Sequence, residues 1–331
     1  MRRRLFIFGA VILVIAIAVV YLGVGAYVYN VISAVKPGCE THLEDLRNTP
    51  SAFSARSDDA HAQADMAGFE MGAYEEVKFP SRDDKLTIDG WYVPAQGVDE
   101  ATAPAVILVH GLNDCKHSPY ILMPAGMLNR AGFNVLMIDL RDHGDSQVED
   151  GRFAAGTEEY RDALGAWDWL VNEKGIPPER IGLFGTSLGA ATVLIAMGED
   201  ARVAATWEDS SYADIQVAID AELGRYGVPT FFEPGGILMG KILAGDDIAV
   251  RSPLAAVSKL DGRPVFITHG DADKRLSVQY AYDLANAITA NGGQVEPWIV
   301  HGSGHIEAMF DDTADYEQKL VTFFKQSLVA G

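Results

Sequence analysis

Short apolar runs alternate with longer stretches of mixed polarity along most of the chain. The runs at 105–110, 134–140, 181–185, 203–207, 265–269 and 295–300 are apolar almost throughout. That pattern belongs to strands buried on both faces of a parallel sheet. Between and after them, helical spacing predicts helices near 119–131, 157–173, 188–197, 278–290 and 312–328. Strand–helix alternation predicts right-handed crossovers and one doubly wound, mostly parallel sheet. Ahead of it, 75–79 and 86–93 read as a hairpin with Ser81-Arg82-Asp83-Asp84 as its turn. The interval at about 208–258, with Tyr226-Gly227-Val228-Pro229-Thr230-Phe231-Phe232 and Pro234-Gly235-Gly236, breaks the rhythm. A structureless loop of that length does not suit a compact domain, so a small helical cap is expected. A plain helix pair that never meets substrate is the alternative.

The first segment follows a different pattern. Residues 5–35 contain no charge, after Arg2, Arg3 and Arg4. About 20 apolar residues cross a bilayer as a helix, so residues 1–36 are expected to form a transmembrane anchor. Tyr21, Tyr27 and Tyr29 suit its far interface. The arginines keep the N-terminus cytoplasmic and place the rest of the chain outside. Val24-Gly25-Ala26 also fits a signal-peptide cleavage site, the rival reading. Residues 37–74, with breakers at Thr49-Pro50-Ser51 and Arg56-Ser57-Asp58-Asp59, are expected to be a stalk before the globular part at 75–331.

Composition narrows the partners. The chain has 331 residues and a net charge of −20, which argues against nucleic acid, whose phosphates require clustered cations. Cys39 and Cys115 form no C-x-x-C pair, so neither a zinc nor a redox motif is present, and a disulfide between them needs an oxidising compartment.

The chemistry concentrates at Gly185-Thr186-Ser187-Leu188-Gly189, between the strand at 181–185 and the helix after it. A serine on so sharp a strand-to-helix turn needs glycine two residues away on each side, and the turn lifts its hydroxyl clear of the sheet. Serine is a weak nucleophile without a base, and the base needs an acid to orient it. Both should follow strand ends, which face the ligand in open parallel sheets.

Of the eight histidines, His42 and His61 lie in the stalk. His110 and His269 close strands, where packing or a backbone hydrogen bond is the ordinary role. His143 suits a loop brace, and His117 has no evident partner. His301-Gly302-Ser303-Gly304-His305 follows the last strand, and its glycines let His305 reach Ser187, with His301 as the alternative. The glycines also argue against reading the two histidines as metal ligands on one helix face, and no carboxylates complete such a site. For the acid, His269-Gly270-Asp271-Ala272-Asp273 offers Asp273, with Asp271 and Asp209 as alternatives. The oxyanion needs two donors. The N–H groups of Leu188 and of Leu112, in His110-Gly111-Leu112-Asn113, are the candidates, with Asn113 as alternative.

Together these residues resemble the α/β-hydrolase fold, whose chain order is nucleophile, acid, histidine. The resemblance covers most of residues 68–330. Tyr74-Glu75-Glu76-Val77, Gly90-Trp91-Tyr92-Val93-Pro94, His110-Gly111, Asp139-x-Arg141-x-His143-Gly144-x-Ser146 and Ser252-Pro253 are similar to membrane-anchored bacterial hydrolases of the serine-aminopeptidase-like and acyl-CoA-thioesterase-like branches. Asp142 departs from that branch, which has glycine before the histidine. Leu112-Asn113 departs from the glycine-rich loop of many lipases. The resemblance implies a metal-free serine hydrolase without a cofactor, acting on a small-molecule acyl or peptide substrate. An esterase is expected, and Phe231, Phe232, Ile237, Leu238 and Met239 are candidates for an acyl pocket. A peptidase or amidase is the alternative, with Glu208, Glu222 or Glu233 to hold a substrate amine. A non-catalytic, membrane-tethered binding module is a second alternative.

Overall fold

The computed structural model describes residues 2–36, 38–39, 47–55, 61, 63–225, 227–245 and 247–329. Pro37, His42, Arg56, Ser57, Asp58, Asp59 and Tyr226 lie outside them. The chain divides into two compact units, Met1–Ala34 with Ile215–Val250, and Val35–Asp214 with Arg251–Gly331.

The larger unit holds one eight-stranded sheet. Its strands are β1 (Glu75–Pro80), β2 (Thr87–Val93), β3 (Ala105–Val109), β4 (Asn134–Ile138), β5 (Ile181–Thr186), β6 (Ala205–Asp209), β7 (Val265–Gly270) and β8 (Trp298–Val300). The order is β1-β2-β4-β3-β5-β6-β7-β8. β1 and β2 form the expected antiparallel hairpin, β2 meets β4 antiparallel, and every later pairing is parallel. β3, β4, β5 and β6 are buried at every position, as expected of strands inside a parallel sheet. The crossovers are α2 (Pro119–Arg130), α3 (Tyr160–Asn172), α4 (Leu188–Glu199) and α8 (Gln279–Ala290), with short α7 (Pro253–Ala256) before β7 and α9 (Ala308–Asp311) and α10 (Thr313–Leu328) after β8. Ser118 starts α2 by accepting a hydrogen bond from the Tyr120 N–H, with Pro119 at the first helical position. Under β6 and β7, Trp207 stacks on Phe266 with centroids 3.9 Å apart, and Tyr316 and Phe323 of α10 close round them.

The stretch expected as a stalk is not a free spacer where it is described. Phe53, Ala55, Met66, Phe69 and Met71 are buried in the same core as α2 and α10. The polar breakers obscured these few apolar anchors. Cys39 and Cys115 form a disulfide, with Cα atoms 5.8 Å apart. It ties the start of this stretch to the loop after β3.

The smaller unit contains α1 (Arg2–Ser33), α5 (Ile215–Arg225) and α6 (Glu233–Leu243), with a 3-10 turn over Thr230–Phe232. It supplies the helices expected in the insertion after β6.

Candidate active site

β5 delivers Ser187 at the head of α4. Its backbone sits at φ 54°, ψ −117°, a strained conformation for a residue with a Cβ, costing about 1–3 kcal/mol. The two glycines make the turn possible. A side chain at Gly185 would strike the Gly189 carbonyl, and one at Gly189 would strike the Val109 carbonyl. The Ser187 N–H donates to the Asp209 carbonyl at 2.8 Å, which fixes the turn to the neighbouring strand.

Three side chains from distant parts of the sequence meet there. His305 Nε2 lies 2.9 Å from Ser187 Oγ, and His305 Nδ1 lies 2.6 Å from Asp273 Oδ2. The Asp273 side chain is fully buried and His305 is partly exposed. The other Asp273 oxygen accepts the N–H groups of Arg275 and Leu276 at 2.7 and 2.9 Å. Burial opposes ionisation of Asp273, but hydrogen bonds from His269 and His305 outweigh it and hold its pKa well below the usual carboxylate range. An ionised Asp273 takes the Nδ1–H of His305, so Nε2 faces Ser187 as an acceptor.

The alternatives are occupied elsewhere. Asp271 accepts from His301 Nδ1 and the Gly302 N–H, both at 2.6 Å, so the runner-up acid and runner-up base pair with each other. Asp209 accepts from Tyr316 Oη and Ser210 Oγ, each at 2.8 Å, and Ser210 Oγ in turn accepts the Ile306 N–H at 3.2 Å. Asp209 therefore braces the loop that carries His305.

The oxyanion loop lies directly against the nucleophile. A Cβ added at Gly111 would sit 3.2 Å from Ser187 Cβ. The Asn113 N–H donates to His143 Nε2 at 3.2 Å, and His143 Nδ1–H donates to the Arg141 carbonyl at 2.8 Å. Asn113 is thereby committed to the brace, which leaves the Leu112 N–H as the loop's donor candidate beside that of Leu188. His110 is held neutral, its pKa lowered to about 3 by burial and by His143. It donates from Nδ1 to the Gly111 carbonyl at 2.7 Å and accepts the Leu140 N–H at Nε2 at 3.0 Å.

Several supports were not anticipated. Lys116, wholly buried, places Nζ 2.6 Å from Asp139, 2.6 Å from Asp145 and 3.0 Å from Asp89. Among the described residues, those carboxylates are one of two sets of three whose potential ligand atoms lie within 4.8 Å of one another, the other being His61, Glu307 and Asp311. Neither contains His301 or His305. His117, read as lacking a partner, bonds the Asn48 carbonyl at 2.8 Å. Asp142 takes a positive φ of 62° where glycine is expected. Its Oδ1 accepts the N–H groups of Glu149, Asp150 and Gly151, which offsets the strain.

His269 does more than pack. Its Nε2 lies 3.2 Å from Asp273 Oδ2 and 3.1 Å from the Leu276 carbonyl, so it shares an Asp273 oxygen with His305. Burial lowers its pKa, but the hydrogen bond to Asp273, the charge of Glu208 and the Leu276 carbonyl together outweigh that, and the net shift is upward. The signal was present in the i, i+4 spacing of His269 and Asp273, which spans a turn and not a helix.

Glu208, expected in the cap, lies on β6 in the sheet. It is fully buried, one oxygen accepts the Ser211 N–H at 3.0 Å, and Oε1 has no hydrogen-bond partner among the described residues. Burial raises its pKa to about 8, against the lowering pull of His269. The folded state therefore holds a proton that the unfolded chain releases near pH 4.5. Stability from this group is complete below that value and is lost as pH rises through about 8. Glu208→Gln is expected to unfold at a higher temperature than wild type at about pH 9, with the difference shrinking towards about pH 5. Thermal melts at the two pH values check the sign, and an unchanged difference would contradict the raised pKa.

The profile of the prolyl oligopeptidase family matches residues 123–330, well over half of the chain. The chain belongs to the prolyl oligopeptidase family. With the geometry above, this prolyl oligopeptidase family member is a serine hydrolase of α/β-hydrolase fold. Among solved structures, an esterase of Pyrococcus furiosus superposes with a TM-score of 0.62 at 19% identity, over 80% of this chain and 96% of that one. An acylaminoacyl peptidase of Pyrococcus horikoshii gives 0.58 at 18%, over 82% of this chain and 44% of that one. The thiohydrolase aneE of Aspergillus aculeatus is 33% identical over 137 residues, and the match spans 40% of each chain. The uncharacterized protein YfhR of Escherichia coli K12 is 25% identical over 260 residues, 77% of this chain and 81% of that one. The chain thus covers about two-fifths of the thiohydrolase but most of YfhR.

Proposed function

We propose that this family member is a membrane-anchored hydrolase of acyl esters, with Ser187 as nucleophile, His305 as general base and acid, and Asp273 as the residue that orients His305. The line from Asp273 through His305 to Ser187, 2.6 and 2.9 Å, carries the reading. Ser187 Oγ attacks the acyl carbon as His305 Nε2 takes its proton. The N–H groups of Leu112 and Leu188 hold the oxyanion, a contribution of about 3–4 kcal/mol per donor in comparable sites. The intermediate collapses as His305 protonates the departing alcohol, leaving an acyl-enzyme. Water, deprotonated by His305, then releases the acid and restores Ser187.

Two observations favour an ester over a peptide. The three glutamates considered for a substrate amine have other places or partners: Glu208 in the sheet, Glu222 with Arg225 at 3.4 Å, and Glu233 with Gln216 at 3.0 Å. The chain also spans nearly all of the Pyrococcus furiosus esterase but under half of the acylaminoacyl peptidase. Matched p-nitrophenyl esters and aminoacyl p-nitroanilides test this. Ester turnover is expected to dominate, and anilide turnover equal to or above it would replace the esterase reading with the peptidase one.

For location, we propose that α1 is retained as a single-pass anchor with the N-terminus cytoplasmic and the hydrolase outside. The disulfide supports an oxidising compartment for the folded part. Retention is supported by α6, which packs on Tyr21, Gly25, Val28 and Tyr29. Cleavage after Ala26 would strip half of that face.

A further inference from the structure

We infer that the Phe231–Phe232 elbow and the start of the adjoining helix α6 are seated in the lipid bilayer beside α1, so that the insertion after β6 is a membrane-contacting element. The inference rests on the anchor reading of α1 and goes beyond it.

The helix α1 changes character along its length. Every residue from 3 to 20 is exposed, and burial begins at Tyr21. The bare apolar part from Leu5 to Val20 is about 24 Å long at 1.5 Å per residue. The hydrocarbon core is about 30 Å thick and takes about 20 residues. Counted from Leu5, the core ends near Val24, so Tyr21 lies inside its outer edge.

What packs on α1 at that level is the elbow. Tyr21 Oη donates to the Phe231 carbonyl at 3.0 Å, and its ring stacks on Phe232 with centroids 5.6 Å apart. Above it the helices touch through small residues. A Cβ at Gly25 would lie 2.6 Å from the Gly235 carbonyl carbon, and one at Gly240 would lie 2.7 Å from the Tyr29 ring. Such close backbone approach is how helices associate in lipid. The contacts set the direction of α6. Its start is level with Tyr21, inside the core, and its end is level with Tyr29, beyond it.

The exposed surface from the elbow along α6 is largely apolar. Phe231 is 62% exposed, and Leu238 and Ile242, one turn apart on α6, are 46% and 61% exposed. Glu233, next to the elbow, is buried and bonded to Gln216. Lys241, paired with Asp247 at 2.6 Å, stands near the end of α6 that the geometry puts outside the core. An apolar tip continuous with a spanning helix, with its charge at the far end, matches lipid. Water does not fit so exposed an aromatic tip.

The test uses the full chain in phosphatidylcholine vesicles. Single cysteines at Val14, Phe231 and Glu222 carry an environment-sensitive fluorophore, Cys39 and Cys115 remaining joined. Val14 and Phe231 are expected to emit at shorter wavelength and to be quenched by lipids with nitroxides on their acyl chains, Phe231 more strongly by the shallow nitroxide. Glu222, on α5, should show neither effect. Quenching at Val14 without quenching at Phe231 would overturn the seat while keeping the anchor. Loss at both would overturn both. A blue shift at Phe231 that tracks protein density and ignores the nitroxides would mean that a second copy covers the tip, and would also overturn the inference. In Gly25→Leu the helices must separate. Quenching at Phe231 is then expected to weaken while that at Val14 persists, and full quenching at both would remove α1 packing as what sets the depth.

Discussion

Ser187→Ala is expected to abolish hydrolysis, lowering kcat by about 10⁶-fold, the scale seen when a serine nucleophile is removed from a comparable triad. The loss arises at the chemical step. The hydroxyl is the atom that bonds to the acyl carbon, and among the described residues no second nucleophile stands at hydrogen-bond distance from His305 Nε2. Folding should survive, because the Ser187 side chain makes no capping hydrogen bond to α4 and the strained backbone belongs to the Gly185–Gly189 turn. Alanine keeps the Cβ and hence the turn. A fluorophosphonate probe gives an independent readout. Wild type should be labelled and Ser187→Ala should not, at equal melting temperature. Labelling that persists in the variant would assign the nucleophile to another residue. Absence of labelling in folded wild type would leave the fold without its proposed chemistry.

The sequence revealed whatever local backbone or strand order determines. Gly185 and Gly189 announce the turn because only a residue without Cβ fits two positions that nearly touch. Asp273 and His305 could be chosen because loops after parallel strands converge at one edge, and chain order ranks them. The fully buried strands were equally legible where their runs are apolar, as in β3. What could not be read depends on contacts between elements far apart in the chain. Nothing local says that His143 takes the Asn113 N–H and so decides between two oxyanion donors, or that Lys116 finds three carboxylates from β2, β4 and a later loop. Cys39 and Cys115 are 76 residues apart, and nothing local announces their union or the burial of Phe53, Ala55, Met66, Phe69 and Met71 in the core. Glu208 shows the opposite failure. A carboxylate ordinarily marks the surface, and here one stands inside the sheet.

Asp273→Asn is expected to lower kcat/KM by about 10⁴-fold, as loss of the orienting carboxylate does in serine proteases, while the protein remains folded. The asparagine carbonyl can keep the Arg275 and Leu276 N–H groups that Asp273 Oδ1 now accepts. That choice turns the amide NH₂ towards His305 and His269, where Oδ2 receives both. An amide donor facing Nδ1 moves the imidazole proton to Nε2, and the histidine then donates to Ser187 where it should accept. The stability effect has a definite sign. Because the pKa of Asp273 is held below its ordinary value in the folded state, its contribution is present at neutral pH and is lost as pH falls through that lowered value. The variant should therefore melt lower than wild type at neutral pH, with the gap closing in acid. Steady-state kinetics beside melting curves separate the two effects, and Asp271→Asn and Asp209→Asn serve as comparisons. Asp271 orients only exposed His301, so its variant should stay near wild-type activity. Near-normal turnover in Asp273→Asn together with a collapse in either comparison would transfer the orienting role to that aspartate.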